Sequence, residues 1–125
     1  MLYIDLENKD IVFDETNNTR YWCQYDFAYK ARTHVYDNEN NEIGYIQFKV
    51  LSIQKGISFF DKDDNPIQMD DIVIINQEDK NNFVLKYCES IVTVTKNDDR
   101  LNIDYSENID LNKCILFIVS LLNKE

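Results

Sequence analysis

The chain has 125 residues, 44% of them hydrophobic and 13% aromatic, with 13 Lys plus Arg against 23 Asp plus Glu for a net charge of −10. That length holds one core, and the apolar fraction is enough to offset chain entropy, so neither a second module nor a disordered chain is expected. The charge repels phosphate backbones and anionic lipid at long range, which argues against a general nucleic-acid binder.

Two Gly and one Pro leave most turns to Asn and Asp, which tolerate left-handed backbone and hydrogen-bond to their own turns. The abundance of Asn, Ile and Lys points to AT-rich coding, as in a low-GC bacterium or its phage. Cys23, Cys88 and Cys114 are an odd, widely spaced set that fits neither a disulfide framework nor a zinc site, so a reducing, cytoplasmic setting is expected. The start, MLYIDLENKD, lacks the pattern of a secretory signal. The one long apolar run, CILFIVSLL at 114–122, is far shorter than the roughly 20 residues that cross a bilayer, so no transmembrane segment is expected.

In chain order, the first punctuation is VFDETNNTR at 12–20. It opens onto RYWCQYDFAY, where Tyr21, Cys23, Tyr25, Phe27 and Tyr29 fall on one face and Gln24, Asp26 and Lys30 on the other, the period of a half-buried strand. The punctuation returns as VYDNENNEI at 35–43. After it, Ile46, Phe48 and Val50 alternate with Gln47 and Lys49. A third copy, FFDKDDNPI at 59–67, keeps the same rule, an Asp followed four places later by Asn. The starts fall about 23 or 24 residues apart, the length of a two-stranded hairpin. Alternation resumes in Phe83, Leu85 and Tyr87. A weaker copy, VTKNDDRLNI at 94–103, leads into Leu101, Ile103 and Tyr105. These runs predict a single mainly-β domain of about nine or ten short antiparallel strands over residues 2–105, arranged as a barrel or a sandwich.

The ending differs. Asp110 is suited to an N-cap, with Ile109 and Cys114 at the positions of a hydrophobic staple, which favours a helix over 111–122. A last central strand is the competing reading, because Ile115, Ile118 and Val119 are β-branched. As a helix the segment is apolar on every side and so is expected to be enclosed on every side.

Many hairpins followed by one wholly apolar terminal helix resemble the tubby-like superfamily, in which a β-barrel encloses a hydrophobic C-terminal helix. VYDNENNEIGYIQFKVLSI, ISFFDKDDNPI and RLNIDYSENIDLNKCILFIVSLLN resemble its LURP-one-related branch in particular. These stretches cover about half the chain. The chain departs from that pattern in strand number, since twelve are usual there, and in its scarcity of turn glycines. The resemblance implies a shortened or partly open barrel around the helix and a domain without enzymatic activity.

DKDDN at 61–65 has oxygen ligands at the first, third and fifth places of a calcium loop, but Pro66 and Ile72 stand where Gly and Glu belong, so a plain turn is expected and no metal. His34 is the sole histidine. Pairing it with Cys23, Cys88 or Cys114 has no local signature, Cys114 and Cys23 belong to apolar faces, and no Gly-rich phosphate loop occurs; no catalytic residues and no cofactor are expected. Lys30, Arg32 and His34 share one side of a strand, with Lys49 on the next. They form a candidate anion patch of the kind tubby domains use for phosphoinositides, set against the simpler reading of a solvated face whose bases pair with nearby acids.

The leading expectation is a non-enzymatic interaction domain with a protein partner, its candidate contacts being the acidic tips Asp37, Glu39, Asp61, Asp63 and Asp64. The alternative is an acidic inhibitor or immunity protein that blocks the basic cleft of a nuclease or other nucleic-acid-binding target. Peripheral binding to anionic lipid comes third, disfavoured by the net charge.

Overall fold

A computed structural model describes residues 1–26, 31–48 and 56–122. Among the described residues ten strands are present: β1 (Leu2–Asp5), β2 (Asn8–Phe13), β3 (Thr19–Asp26), β4 (Ala31–Asp37), β5 (Glu42–Phe48), β6 (Ile57–Phe60), β7 (Ile72–Asp79), β8 (Asn82–Tyr87), β9 (Ser90–Asn97) and β10 (Arg100–Asp104). One helix, α1 (Leu111–Leu122), follows them. The strands form a single antiparallel sheet in the order β6-β5-β4-β3-β2-β1-β10-β9-β8-β7. Two meanders are thus joined through β1 and β10, where Leu2 stands opposite Ile103 and Ile4 opposite Leu101. All four side chains are buried, as alternation predicts for opposed residues on one face.

The helix forms as its cap predicts. The Asp110 carboxylate accepts the Lys113 N–H at 3.2 Å, and the Asp110 carbonyl accepts that of Cys114 at 3.1 Å. Tyr21 on β3 anchors the first turn by donating its hydroxyl to Asn112 Oδ1 at 2.7 Å. Buried Ser120 satisfies its hydroxyl on the Phe117 carbonyl at 2.6 Å. Cys114, Ile115, Leu116, Ile118, Val119, Ser120 and Leu122 are buried, which at 100° per residue spans roughly two-thirds of the helix circumference. A sheet that covers so wide an arc must curl around the helix, and this one does so without closing.

The open seam explains one departure from expectation, for the helix is not enclosed on every side. Lys113, Phe117 and Leu121, four residues apart on one stripe, are only partly covered. The Phe117 ring stacks on Phe59 of β6 at 6.2 Å, and the Lys113 ammonium lies 2.8 Å from the Asp71 carboxylate just before β7. This stripe therefore looks out between the two outermost strands.

Other departures are local. Along β3 burial fades from Tyr21 through Cys23 to Tyr25, which is 46% exposed, so the alternation sets the face but the core ends before the strand does. Phe27, Tyr29 and Val50 lie outside the described residues. The third punctuation does not open a full hairpin. Its return arm makes one bridge, Phe60 with Pro66, flanked by main-chain bonds from the Asp61 N–H to the Asn65 carbonyl at 2.9 Å and from the Ile67 N–H to the Phe59 carbonyl at 2.8 Å, and forms no further strand before β7. The weaker copy at 94–103 is a different turn, a two-residue connection that sets Asn97 opposite Arg100. No described helix is long and apolar enough to cross a membrane.

Candidate functional site

The three repeated turns have the same architecture. In each, the opening Asp folds its own Oδ1 back onto the turn, accepting the N–H groups two and four residues on. Asp14 takes Thr16 and Asn18 at 2.9 and 3.0 Å, Asp37 takes Glu39 and Asn41 at 2.9 and 3.0 Å, and Asp61 takes Asp63 and Asn65 at 2.9 and 2.9 Å. The fourth residue adopts left-handed backbone, with φ of 64° at Asn17, 64° at Asn40 and 67° at Asp64. A further main-chain bond runs from each opening Asp N–H to the carbonyl four residues on, 2.9 Å in every case. The sequence rule of Asp followed by Asn at the fourth place is thus a closed turn built without glycine.

In the first and third turns these bonds favour the ionised carboxylate. The Thr16 hydroxyl and then the Asn18 N–H hold the pKa of Asp14 below the ordinary carboxylate value, and the Asn65 N–H followed by that of Asp63 does the same for Asp61. The calcium-like spacing of DKDDN has the same origin. Asp61 is committed to its own backbone, while Asp64 Oδ1 accepts the Tyr45 hydroxyl at 2.6 Å. Among the described residues no three His, Cys, Asp or Glu side chains converge on a metal position.

Topology brings the turns together. In an antiparallel meander successive connections alternate between the two ends of the sheet, so the β2–β3 turn, the β4–β5 turn and the turn after β6 all lie at one end. The start of α1 lies there too, because β10 runs antiparallel to β1. Across the three turns stand seven carboxylates, Asp14, Glu15, Asp37, Glu39, Asp61, Asp63 and Asp64, against the single base Lys62. Their roles differ. Asp37 and Asp61 build turns, Asp64 ties the third turn to β5 through Tyr45, and Glu39 and Asp63 stand exposed at the tips. Glu15, absent from the candidates named from sequence, is a third exposed tip carboxylate, set directly after its opening Asp rather than at the place of Glu39 and Asp63, and it lies 3.3 Å from the N-terminal ammonium.

The candidate anion patch is different in kind. Lys30 and Lys49 lie outside the described residues. His34 Nδ1 is 2.6 Å from Glu42 Oε1, and Arg32 stands directly opposite Asp26 in the β3–β4 register. The Arg32 guanidinium lies 4.7 Å over the ring of Tyr45 and donates to Gln47 Oε1 at 3.3 Å. Tyr45, 3% exposed although on the outer face, is covered by Arg32, His34 and Phe60. Here the two described bases work as cover and ties for the outer face, with carboxylates beside both of them.

Burial pushes the thiol of Cys23 up to about 12 and that of Cys114 up to about 11, which leaves both as thiols at neutral pH. His34 is bonded to Glu42 rather than to sulfur. Neither thiol is therefore set up as a nucleophile. Comparison of the chain with protein-family models, with curated proteins and with solved structures gives no match.

Proposed function

We propose that this chain is a non-enzymatic, protein-binding domain of tubby-like type that presents its acidic end to a basic surface of its partner. The observation that carries the reading is the gathering of three identically built Asp/Asn turns at one end of the sheet, with Glu15, Glu39 and Asp63 exposed on them. Rigid turns hold those charges in place, so little side-chain and loop entropy is lost on contact, and clustered charge of one sign speeds association with an oppositely charged surface. The tubby-like assignment draws support from the curled sheet around a buried C-terminal helix, with ten strands where that superfamily usually has twelve. An inhibitor that occupies the basic cleft of a nucleic-acid-binding protein is the sharper form of the same chemistry. Carboxylates beside Arg32 and His34 weigh against anionic lipid as the ligand.

The test is capture of partners by the wild-type chain and by Glu15→Lys/Glu39→Lys/Asp63→Lys, which leaves the opening Asp of every turn in place. The triple variant should stay folded by circular dichroism and lose a basic partner whose binding to wild type weakens as salt rises. A partner held equally by both proteins across the salt range would exclude the acidic end.

A further inference from the structure

We propose that the outer edge of β7 is a strand-addition site for an extended segment of a partner protein that alternates apolar and basic side chains. The site is separate from the acidic turns. β7 is the last strand of the sheet, bonded to β8 on one side, and among the described residues no strand pairs with its other side. From Val73 to Asp79 every residue is exposed, whereas Ile72 alone is buried. Yet the stretch begins Ile-Val-Ile-Ile. Val73, Ile74 and Ile75 are 53%, 36% and 51% exposed, and they make up half of the large apolar side chains left exposed among the described residues. Natural edge strands are commonly protected by Lys, Pro or inward-pointing charge, and Ile72–Ile75 carries none of these.

Two rows of side chains show what is missing. On the inner face Ile74 stands opposite Leu85, which stands opposite Val92. Leu85 and Val92 are 0% and 1% exposed, so Ile74 is the end member of a core row, left half-open because the sheet stops there. On the outer face Val73, Lys86 and Ile91 form the matching row, and Ile91 is 44% exposed. A strand laid along β7 extends both rows and supplies partners to its outward N–H and C=O groups. Register shifts in the β7–β8 pairing between Ile74 and Asn76 and between Gln77 and Asp79 bend the strand, which limits a regular ladder to Ile72–Ile74 and leaves Ile75 in the first bulge.

Charge selects the occupant. Asp70 precedes the stretch and Glu78 follows it, within a chain of net charge −10. A second copy is a poor fit, because it brings a chain of the same net charge of −10 against these acids. A basic segment meets both acids with opposite charge.

The test uses two short capped peptides of equal charge, one alternating Val and Lys and one with every Val replaced by Pro, which cannot donate to a ladder. Hydrogen exchange followed residue by residue should show about tenfold slowing at the Ile74 amide with the Val/Lys peptide, and none with the Pro/Lys peptide, while the Ile72 N–H, already bonded to the Met69 carbonyl at 3.1 Å, serves as the internal reference. Val73→Lys/Ile75→Lys should abolish that protection, while Glu15→Lys/Glu39→Lys/Asp63→Lys should leave it in place, which separates this site from the acidic end. Equal protection by both peptides, protection by neither, or self-association abolished by Val73→Lys/Ile75→Lys would overturn the proposal.

Discussion

Gly44 on β5 lies directly beneath Leu116 of the helix. A β-carbon at Gly44 would come within 3.0 Å of Leu116 Cδ1 and 2.6 Å of the Phe60 carbonyl oxygen, and the residue's φ of +152° is one that other side chains rarely adopt. The absent side chain is what lets β5, β6 and α1 meet at this point. Gly44→Ala should therefore cost about 2–4 kcal/mol from combined overpacking and backbone strain, read as a lower urea midpoint with unchanged slope. Adding Leu116→Ala should not restore stability, since the clash with main chain persists. Wild-type stability in Gly44→Ala would show that β5 is free to move away from both β6 and the helix.

The helix offers a paired test. Ile118 is fully buried, whereas Phe117 sits on the partly open stripe against Phe59. Ile118→Asp should prevent folding, because an unpaired buried charge costs several kcal/mol of a total stability of about 5 to 15. Phe117→Ala should remain folded and lose about 1–3 kcal/mol, the stacking contact plus part of a ring's burial. Thermal unfolding followed by circular dichroism distinguishes the two, and equal damage from both would mean the seam is closed.

Much of this was legible in the residues themselves. The helix bounds followed from Asp110 and the staple pair, and the strands followed from alternation wherever one face is buried and the other wet. Asp14, Asp37 and Asp61 announced their turns because the same three hydrogen bonds require the same residues each time. What lay hidden depends on distant partners. Nothing local says that β1 pairs with β10, that Phe117 faces a seam, or that Ile72–Ile75 lies at an edge; four β-branched apolar residues in a row read more naturally as an interior strand. The division of the acidic residues into turn formers and exposed tips was equally invisible, because it depends on which way each carboxylate folds.

That division has a pH signature. Asp14 and Asp61 have their pKa values lowered in the folded chain, so their turns gain stability that is fully present above the unfolded value of 3.8 and is lost as pH falls through the lower folded value. Carboxyl carbon shifts of both residues should titrate below 3.8, with the amide protons of Asn18 and Asn65 moving in step. Asp61→Asn should remove the titration at Asn65 alone. Titration of Asp61 at or above 3.8 would mean that its carboxylate is not folded onto the turn.

The cysteines can be told apart by reagent. Cys88 is exposed, Cys114 is buried, and Cys23 is half-covered on the inner face. In mildly alkaline buffer a chromogenic disulfide reagent should react quickly with Cys88 and with Cys23 and Cys114 only after denaturant is added, because the latter two remain protonated. Rapid reaction of all three in the native protein would place the concave face of the sheet in contact with solvent.

The pairing of Leu2 with Ile103 has a consequence for how the molecule comes into being. Residues about a hundred positions apart must meet before the two meanders become one sheet, a closure that costs about 2–3 kcal/mol more chain entropy than closing a five-residue turn. Hairpins such as β4–β5 can form early and alone, but the β1–β10 junction has to wait, and the helix that fills the concave face follows β10 in the chain. Refolding should accordingly be slow for a domain of this size, with Ile4→Ala retarding it and Ile118→Ala, in the helix that packs last, mainly accelerating unfolding in stopped-flow measurements. Until the junction forms, both half-sheets expose their apolar inner faces, and during that interval the chain is most exposed to aggregation and most in need of a chaperone.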